Sequence, residues 1–86
     1  MAKLYTVVLK KPTQKQLDKL SDLLAASLIK AISALAVNPR PHGYKKLKGR
    51  SGYRIRVNDH RVIYEIHDRI LTIEIINLGH RKDIYE

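Results

Sequence analysis

The apolar residues of this chain change their spacing once, and that change limits the folds open to it. Between Pro12 and Val37 the aliphatic residues Leu17, Leu20, Leu24, Leu28, Ile32 and Leu35 follow one another at intervals of three or four, which places them on one stripe of a helix. From Tyr53 onward the interval is two, the repeat of a strand with one covered face. With helical and strand patterns sharing 86 residues, the helical stripe and the apolar sheet face must cover each other within one domain, residues 1–86. The expected fold is α+β: a two-helix hairpin packed on one face of a mainly antiparallel four-stranded sheet, in the order β-α-α-β-β-β.

Local signals divide the chain further. Leu4 to Leu9 is β-branched and aromatic and predicts a first strand, ended by Lys10, Lys11 and Pro12. Pro12 suits a first helical turn, and Thr13 is a nearby candidate cap. Ser21 followed by Asp22 has the character of a fresh helix start, so two helices are expected, near Pro12–Leu20 and Asp22–Ala36; one long kinked helix is the alternative. Asn38-Pro39-Arg40-Pro41 stops the second helix, and a basic loop with Leu47 as its anchor follows. Three strands are expected at Tyr53–Val57, His60–Ile66 and Leu71–Leu78, with Asn58-Asp59 and Asp68-Arg69 as two-residue turns.

Charge bears on partners rather than on fold. The net charge is +9, from 17 Lys plus Arg against 8 Asp plus Glu, which favours anionic partners, nucleic acid first and an acidic protein second. Aliphatic residues in periodic runs, within a 44% hydrophobic composition, argue against disorder. The chain has no cysteine, which excludes disulfides and thiolate metal sites. No apolar run approaches membrane-spanning length and no signal-like segment precedes the first strand, so a soluble cytoplasmic protein with no membrane partner is expected.

The Asn58-Asp59 turn sets a register: Val57 opposes His60, Arg56 opposes Arg61, Ile55 opposes Val62 and Arg54 opposes Ile63. The next turn would set Ile66 against Leu71, Tyr64 against Ile73 and Val62 against Ile75. Alternation then gives one apolar face, with Ile55, Val62, Tyr64, Ile73 and Ile75 turned to the helices. The other face carries Arg54, Arg56, Arg61, Ile63, Glu65, Thr72, Glu74, Ile76 and Leu78. On it Arg56 stands directly opposite Arg61, a like-charge pair that costs a sheet ~0.2–1 kcal/mol. Core burial does not require that arrangement, and an anionic ligand would relieve it. Glu65 and Glu74 share the face but lie toward the other end of the strands.

Several ordered stretches together resemble the RelE/ParE toxin superfamily: Asn38-Pro39-Arg40-Pro41, Lys46-Leu47-Lys48-Gly49, Tyr53-Arg54-Ile55-Arg56-Val57, Arg61-Val62-Ile63-Tyr64-Glu65-Ile66 and Gly79-His80-Arg81-Lys82-Asp83-Ile84-Tyr85. The resemblance covers nearly the whole chain. It implies the toxin of a type II toxin–antitoxin pair, with a cognate antitoxin, often acidic, laid across the helices and sheet. In the RelE-like branch the toxin enters the ribosomal A site and cuts mRNA; in the ParE-like branch it inhibits DNA gyrase by binding alone.

The RelE-like reading makes the protein a ribosome-dependent endoribonuclease in which a ribose 2′-hydroxyl attacks the adjacent phosphate, with no metal or cofactor. By resemblance its active site falls on Arg54, Arg56, Arg61, Arg81 and Tyr85. Arg61 and Arg81 would hold phosphate and transition-state charge, Arg54 and Arg56 would position the RNA backbone, and Tyr85 would stack on a base or assist proton transfer. The family's best-known ribonucleases have lysines on the second strand where this chain has arginines, and a guanidinium is a poor proton acceptor. His80, beside Arg81, is therefore a candidate acid or base, since imidazoles titrate near pH ~6.5. His60 is expected on the core side. His42 and His67 are expected to be ordinary surface residues, and no histidine pair has the spacing of a helical metal site. Lys45, Lys46, Lys48 and Arg50 form a second basic group, either a grip on ribosomal RNA or a solvated loop.

Overall fold

The computed structural model describes residues 4–80. Strand β1 (Thr6–Leu9) leads into helices α1 (Lys11–Asp18) and α2 (Asp22–Leu35). A two-residue strand β2 (Lys45–Lys46) follows, then β3 (Tyr53–Val57), β4 (His60–His67) and β5 (Thr72–His80). All five strands join one sheet in the order β1-β5-β4-β3-β2, parallel between β1 and β5 and antiparallel elsewhere. The expected α+β architecture is present, with five strands instead of four. The added strand is β2, whose Lys45 and Lys46 pair with Arg54 and Tyr53. Two consecutive lysines carry no alternation, so the sequence pattern could not mark them as a strand.

The helices are two, as the Ser21 signal indicated. Ser21 is extended, and its Oγ accepts a hydrogen bond from the Leu24 N–H at 3.3 Å, which caps α2. Thr13 does not cap α1. It is buried inside the helix, and its hydroxyl donates to the Ile75 carbonyl at 3.2 Å, so it ties α1 to β5. The helical stripe Leu17, Leu28, Ile32 and Leu35 packs on Ile55, Val62, Tyr64, Ile73, Ile75 and Leu78 of the sheet to form the core. Tyr64 is fully enclosed there, and its hydroxyl donates to the Pro39 carbonyl at 2.7 Å.

The register of β3 on β4 is the expected one throughout, from Val57↔His60 to Arg54↔Ile63. Asn58 occupies the left-handed region at φ 56°, which asparagine tolerates in a tight turn. The second hairpin differs. Asp68-Arg69 is not a two-residue turn: Asp68–Ile70 form a 3-10 turn, Leu71 closes it at φ 48°, and His67 pairs with Thr72. The register therefore slides by two residues, which sets Ile66 against Ile73 and Tyr64 against Ile75. A slide of two keeps each side chain on its face. A bulge at Ile63/Tyr64 then sets Ile63 against Asn77 and Val62 against Leu78, which carries Leu78 from the expected open face into the core at 0% exposure. Beyond the end of β1, Gln16 of α1 covers the edge of β5. Its Oε1 accepts from the Leu78 N–H at 3.2 Å, and its Nε2 donates to Asn77 Oδ1 at 2.9 Å.

Candidate nucleic-acid interface

The face of the sheet turned away from the helices carries the arginines. Alternation along β3 and β4 sends Arg54, Arg56 and Arg61 to that side, and the ladder pairs Arg56 directly with Arg61. Strand β2 adds a second like-charge pair, Lys45 against Arg54. These cations differ in depth: Arg56 is exposed, Arg61 half-buried and Arg54 only 3% exposed. The Nε atoms of Arg54 and Arg61 are both withdrawn from solvent.

The loop after β2 makes a groove of this face. Leu47, 5% exposed, packs on Ile63 and Ile76 in a small cluster of its own. Its N–H donates to the Gly52 carbonyl at 3.0 Å. Gly52 has φ +119°, and a Cβ there would stand 3.3 Å from the Tyr64 carbonyl, so the loop returns to β3 only through glycine. Pinned in this way, Lys45, Lys46 and Lys48 line a hollow of about 390 Å³ together with Leu47, Arg54 and Arg56. Among the described residues that line it there is no carboxylate. Arg56 continues into a smaller cleft of about 100 Å³ with Asn58, Asp59, His60 and Arg61.

The residues expected from sequence are thus partly brought together. Arg54, Arg56 and Arg61 share the open face, and three of the four residues of the second basic group join them. Arg50 does not. It lines another hollow of about 510 Å³, which Lys46 also borders, with Ser51, Tyr53, Glu65 and His67. His80 is paired with His60 across β4 and β5, the rings edge to face at 5.6 Å between centroids. Neighbouring residues on a strand point to opposite faces, so this imidazole pair stands on the helix side beside Gln16 and Lys19, away from the Arg61 guanidinium. Arg81 and Tyr85 lie outside the described residues. The described chain stops with His80 against His60, at the same end of the sheet as the Arg56–Arg61 pair.

Sequence reasoning missed the other end of this face. Glu65 and Glu74 are direct ladder partners, and His67 Nε2 lies 3.8 and 3.6 Å from their carboxylates. Their donor atoms fall within 4.8 Å of one another, which makes them the group among the described residues able to approach a cation together. Ser51 Oγ donates to Glu65 at 2.8 Å, and Lys10 pairs with Glu74 at 3.9 Å. Only the true β4–β5 register reveals the pair, and the expected turn was two residues too short to give it.

A row of tyrosines, Tyr44, Tyr53 and Tyr64, runs beside this end, with the Arg40 guanidinium 5.7 Å from the Tyr53 ring centre. Arg40 also reaches Asp68 at 3.1 Å, and the Tyr5 hydroxyl donates to the same carboxylate. The hydrogen bond to Asp68 raises the Tyr5 phenol above its ordinary value. Burial pushes the Tyr64 phenol up to about 12.

A family model described as the ParE toxin of the type II toxin–antitoxin system parDE matches residues 7–85. No curated protein sequence matches. Among solved structures, the archaeal RelE of the RelE–RelB complex from Pyrococcus horikoshii is 28% identical at a TM-score of 0.82, over 98% of this chain and 100% of that one. The RelBE2 toxin–antitoxin complex of Mycobacterium tuberculosis follows at 26% identity and a TM-score of 0.80, over 93% and 94% of the two chains. The intact E. coli RelBE complex, 23% identical with a TM-score of 0.78 over 88% and 95%, shares the fold.

Proposed function

We propose, from the premise that this chain belongs to the ParE toxin family of type II toxin–antitoxin systems within the RelE/ParE superfamily, that it arrests translation by cutting messenger RNA on the ribosome. Its partner is a cognate antitoxin, as in the RelE–RelB complexes whose toxins it resembles at 26–28% identity. The observation that carries the ribonuclease reading is the basic groove in which Arg56 joins Lys45, Lys46, Lys48 and Arg54 and leads to Arg61. RNA phosphates fit such a surface, and guanidinium forks match phosphate oxygens two at a time.

In the proposed reaction the ribose 2′-oxygen loses its proton and bonds to the adjacent phosphorus. The bond to the 5′-oxygen breaks, and that oxygen leaves with its electron pair and is protonated. The products are a 2′,3′-cyclic phosphate and a 5′-hydroxyl. Arg56 and Arg61 hold the phosphate and the charge that builds on it, while Arg54, below the surface, adds to the field. Arg81 and Tyr85 join the site by family resemblance.

The test mixes the protein with translating ribosomes programmed with one defined message and maps the cut ends. Cleavage within the A-site codon is expected, and Arg61→Ala should lower its rate by ~10²–10³-fold, the usual loss when a charge-stabilising donor is removed. Intact message at an excess of protein would defeat the proposal. The ParE description of the matching family model favours a second reading, a binding inhibitor of DNA gyrase without nuclease chemistry. A supercoiling assay separates the two, because inhibition that survives loss of Arg61 belongs to gyrase binding.

A further inference from the structure

The open face of the sheet has a second end, remote from the Arg56–Arg61 pair. Glu65 and His67 stand two residues apart on β4, and Glu74 and Thr72 are their partners on β5. Residues two apart on a strand share a face, so the four side chains occupy the corners of one rectangle. Three corners carry metal-ligating residue types. Two are carboxylates set directly opposite each other, an arrangement that destabilises a sheet unless a cation relieves it. The third is an imidazole: His67 Nε2 lies 3.8 Å from Glu65 Oε1 and 3.6 Å from Glu74 Oε1.

The carboxylates are aimed from outside the cluster. Glu65 Oε2 accepts from Ser51 Oγ at 2.8 Å, and Glu74 Oε2 lies 3.9 Å from Lys10 Nζ. Ser51 belongs to the basic loop and Lys10 to the junction of β1 with α1, and each holds the outer oxygen of its glutamate. The inner oxygens, both Oε1, converge on His67 Nε2. Outer partners of this kind orient the ligands of metal sites. The spacing suits a small ion. Tetrahedral zinc with bonds of ~2.0–2.2 Å sets its ligand atoms about 3.3–3.6 Å apart, and the donor atoms here already lie within 4.8 Å of one another. Small side-chain rotations close the difference. One imidazole with two carboxylates suits zinc or a neighbouring first-row divalent ion better than magnesium or calcium, which prefer oxygen alone. Three protein ligands leave one tetrahedral position. Glu65 and His67 also line the hollow of about 510 Å³, which has room for the water that completes the set.

We propose that Glu65, His67 and Glu74 bind a zinc-class divalent cation, which clasps β4 to β5 at the end of the sheet remote from the arginine groove. The ion takes no part in the proposed cleavage, because Glu65 is four residues from Arg61 on β4, about 13 Å along the strand. Its effect is on the folded state, which a bound ion stabilises by mass action. The same contacts would also arise if a protonated His67 merely balanced the two carboxylates, and metal addition distinguishes the two.

The experiment uses the full chain, stripped of metal with a chelator and titrated with zinc chloride. In the wild-type protein the first zinc added should shift the His67 ring resonances in the NMR spectrum, a readout that needs no variant, and thermal unfolding should move to higher temperature. Glu74→Gln and His67→Gln keep a polar side chain at half-buried positions, so both should fold. Each removes a ligand and should weaken zinc binding in calorimetry by more than about 100-fold, beyond the loss that an outer partner causes. His60→Gln removes one imidazole of the edge-to-face pair at the other end of the sheet and should bind zinc as the wild type does. A large excess of magnesium should not displace the zinc. Zinc that shifts the His60 and His80 rings ahead of His67 would place the metal elsewhere and overturn the proposal. Wild-type affinity in Glu74→Gln, or displacement by magnesium, would overturn it as well. The ribosome assay reads neither the metal nor Glu74, so failure of the nuclease reading and failure of this site are separate results.

Discussion

Binding of a short single-stranded RNA should depend steeply on salt, and the structure sets the slope. Four exposed cations, Lys45, Lys46, Lys48 and Arg56, and the half-buried Arg61 line the groove and its adjoining cleft. Arg54 is too deep to count as a surface phosphate contact. Each contact to single-stranded nucleic acid releases counterions worth a slope of about −0.7 in log K against log salt, so five give about −3.5. Raising salt from about 50 to about 200 mM should then weaken binding by about a hundredfold. Lys48→Ala removes one contact, so the slope should fall to about −2.8 and the loss to about fiftyfold. Arg50→Ala is the control: its side chain lines the other hollow, with Glu65 and His67, and the slope should not move. Fluorescence anisotropy with a labelled oligonucleotide reads both quantities. A wild-type slope shallower than about −2, or equal changes from the Lys48 and Arg50 variants, would show that the groove is not the electrostatic footprint.

Two further predictions concern what holds the groove in place. Leu47→Ala empties the small cluster with Ile63 and Ile76 and should cost about 2 kcal/mol in denaturant unfolding, the lower end for a buried leucine, while the main core keeps the domain folded. A loss below about 0.5 kcal/mol would mean that the basic loop is not anchored there. Tyr64→Phe should cost about 1–2 kcal/mol at neutral pH by leaving the buried Pro39 carbonyl without its donor. With the Tyr64 phenol pushed up to about 12 by burial, the unfolded chain ionises first. Stability from the neutral phenol is complete below about pH 10 and falls as pH rises toward 12, by on the order of 2 kcal/mol, a fall that the phenylalanine variant should lack. Parallel stability curves for the two proteins between pH 9 and 12 would contradict this.

Much of this molecule was legible because one hairpin was short. Asn58-Asp59 admits a two-residue turn, and from it the Arg56–Arg61 pairing and the sorting of β3 and β4 into two faces follow by alternation. Ser21 marked the second helix through the chemistry of its hydroxyl, and the capping bond is present. What failed depended on tertiary geometry. The left-handed Leu71 and the 3-10 turn before it lengthen the second hairpin, and no glycine advertised a positive φ there. The bulge that moves Leu78 into the core has no local signature, because Ile76, Asn77 and Leu78 fit either phase of the pattern. Strand β2 exists because Leu47 finds Ile63 and Ile76 across the sheet, a contact that spacing along the chain does not show.

The arrangement of proton-transfer groups bears on why the proposed cleavage belongs to the ribosome. The Arg56 and Arg61 side chains stand on one face, and guanidinium groups bind phosphate without accepting protons. His60 borders their small cleft, yet its ring is turned against His80 on the helix side. Among the described residues, then, the arginine groove can orient a phosphate and stabilise charge, but no imidazole is placed on it to take the 2′-hydroxyl proton. That step has to draw on groups beyond the described strands or on the ribosome and its RNA, which also fix the message in a reactive geometry. Affinity and cutting are consequently separable properties of this surface. A protein that bound naked RNA with the expected salt slope and cut it slowly would agree with the sheet as built, whereas fast cleavage of free RNA would require a proton acceptor that the described strands do not provide.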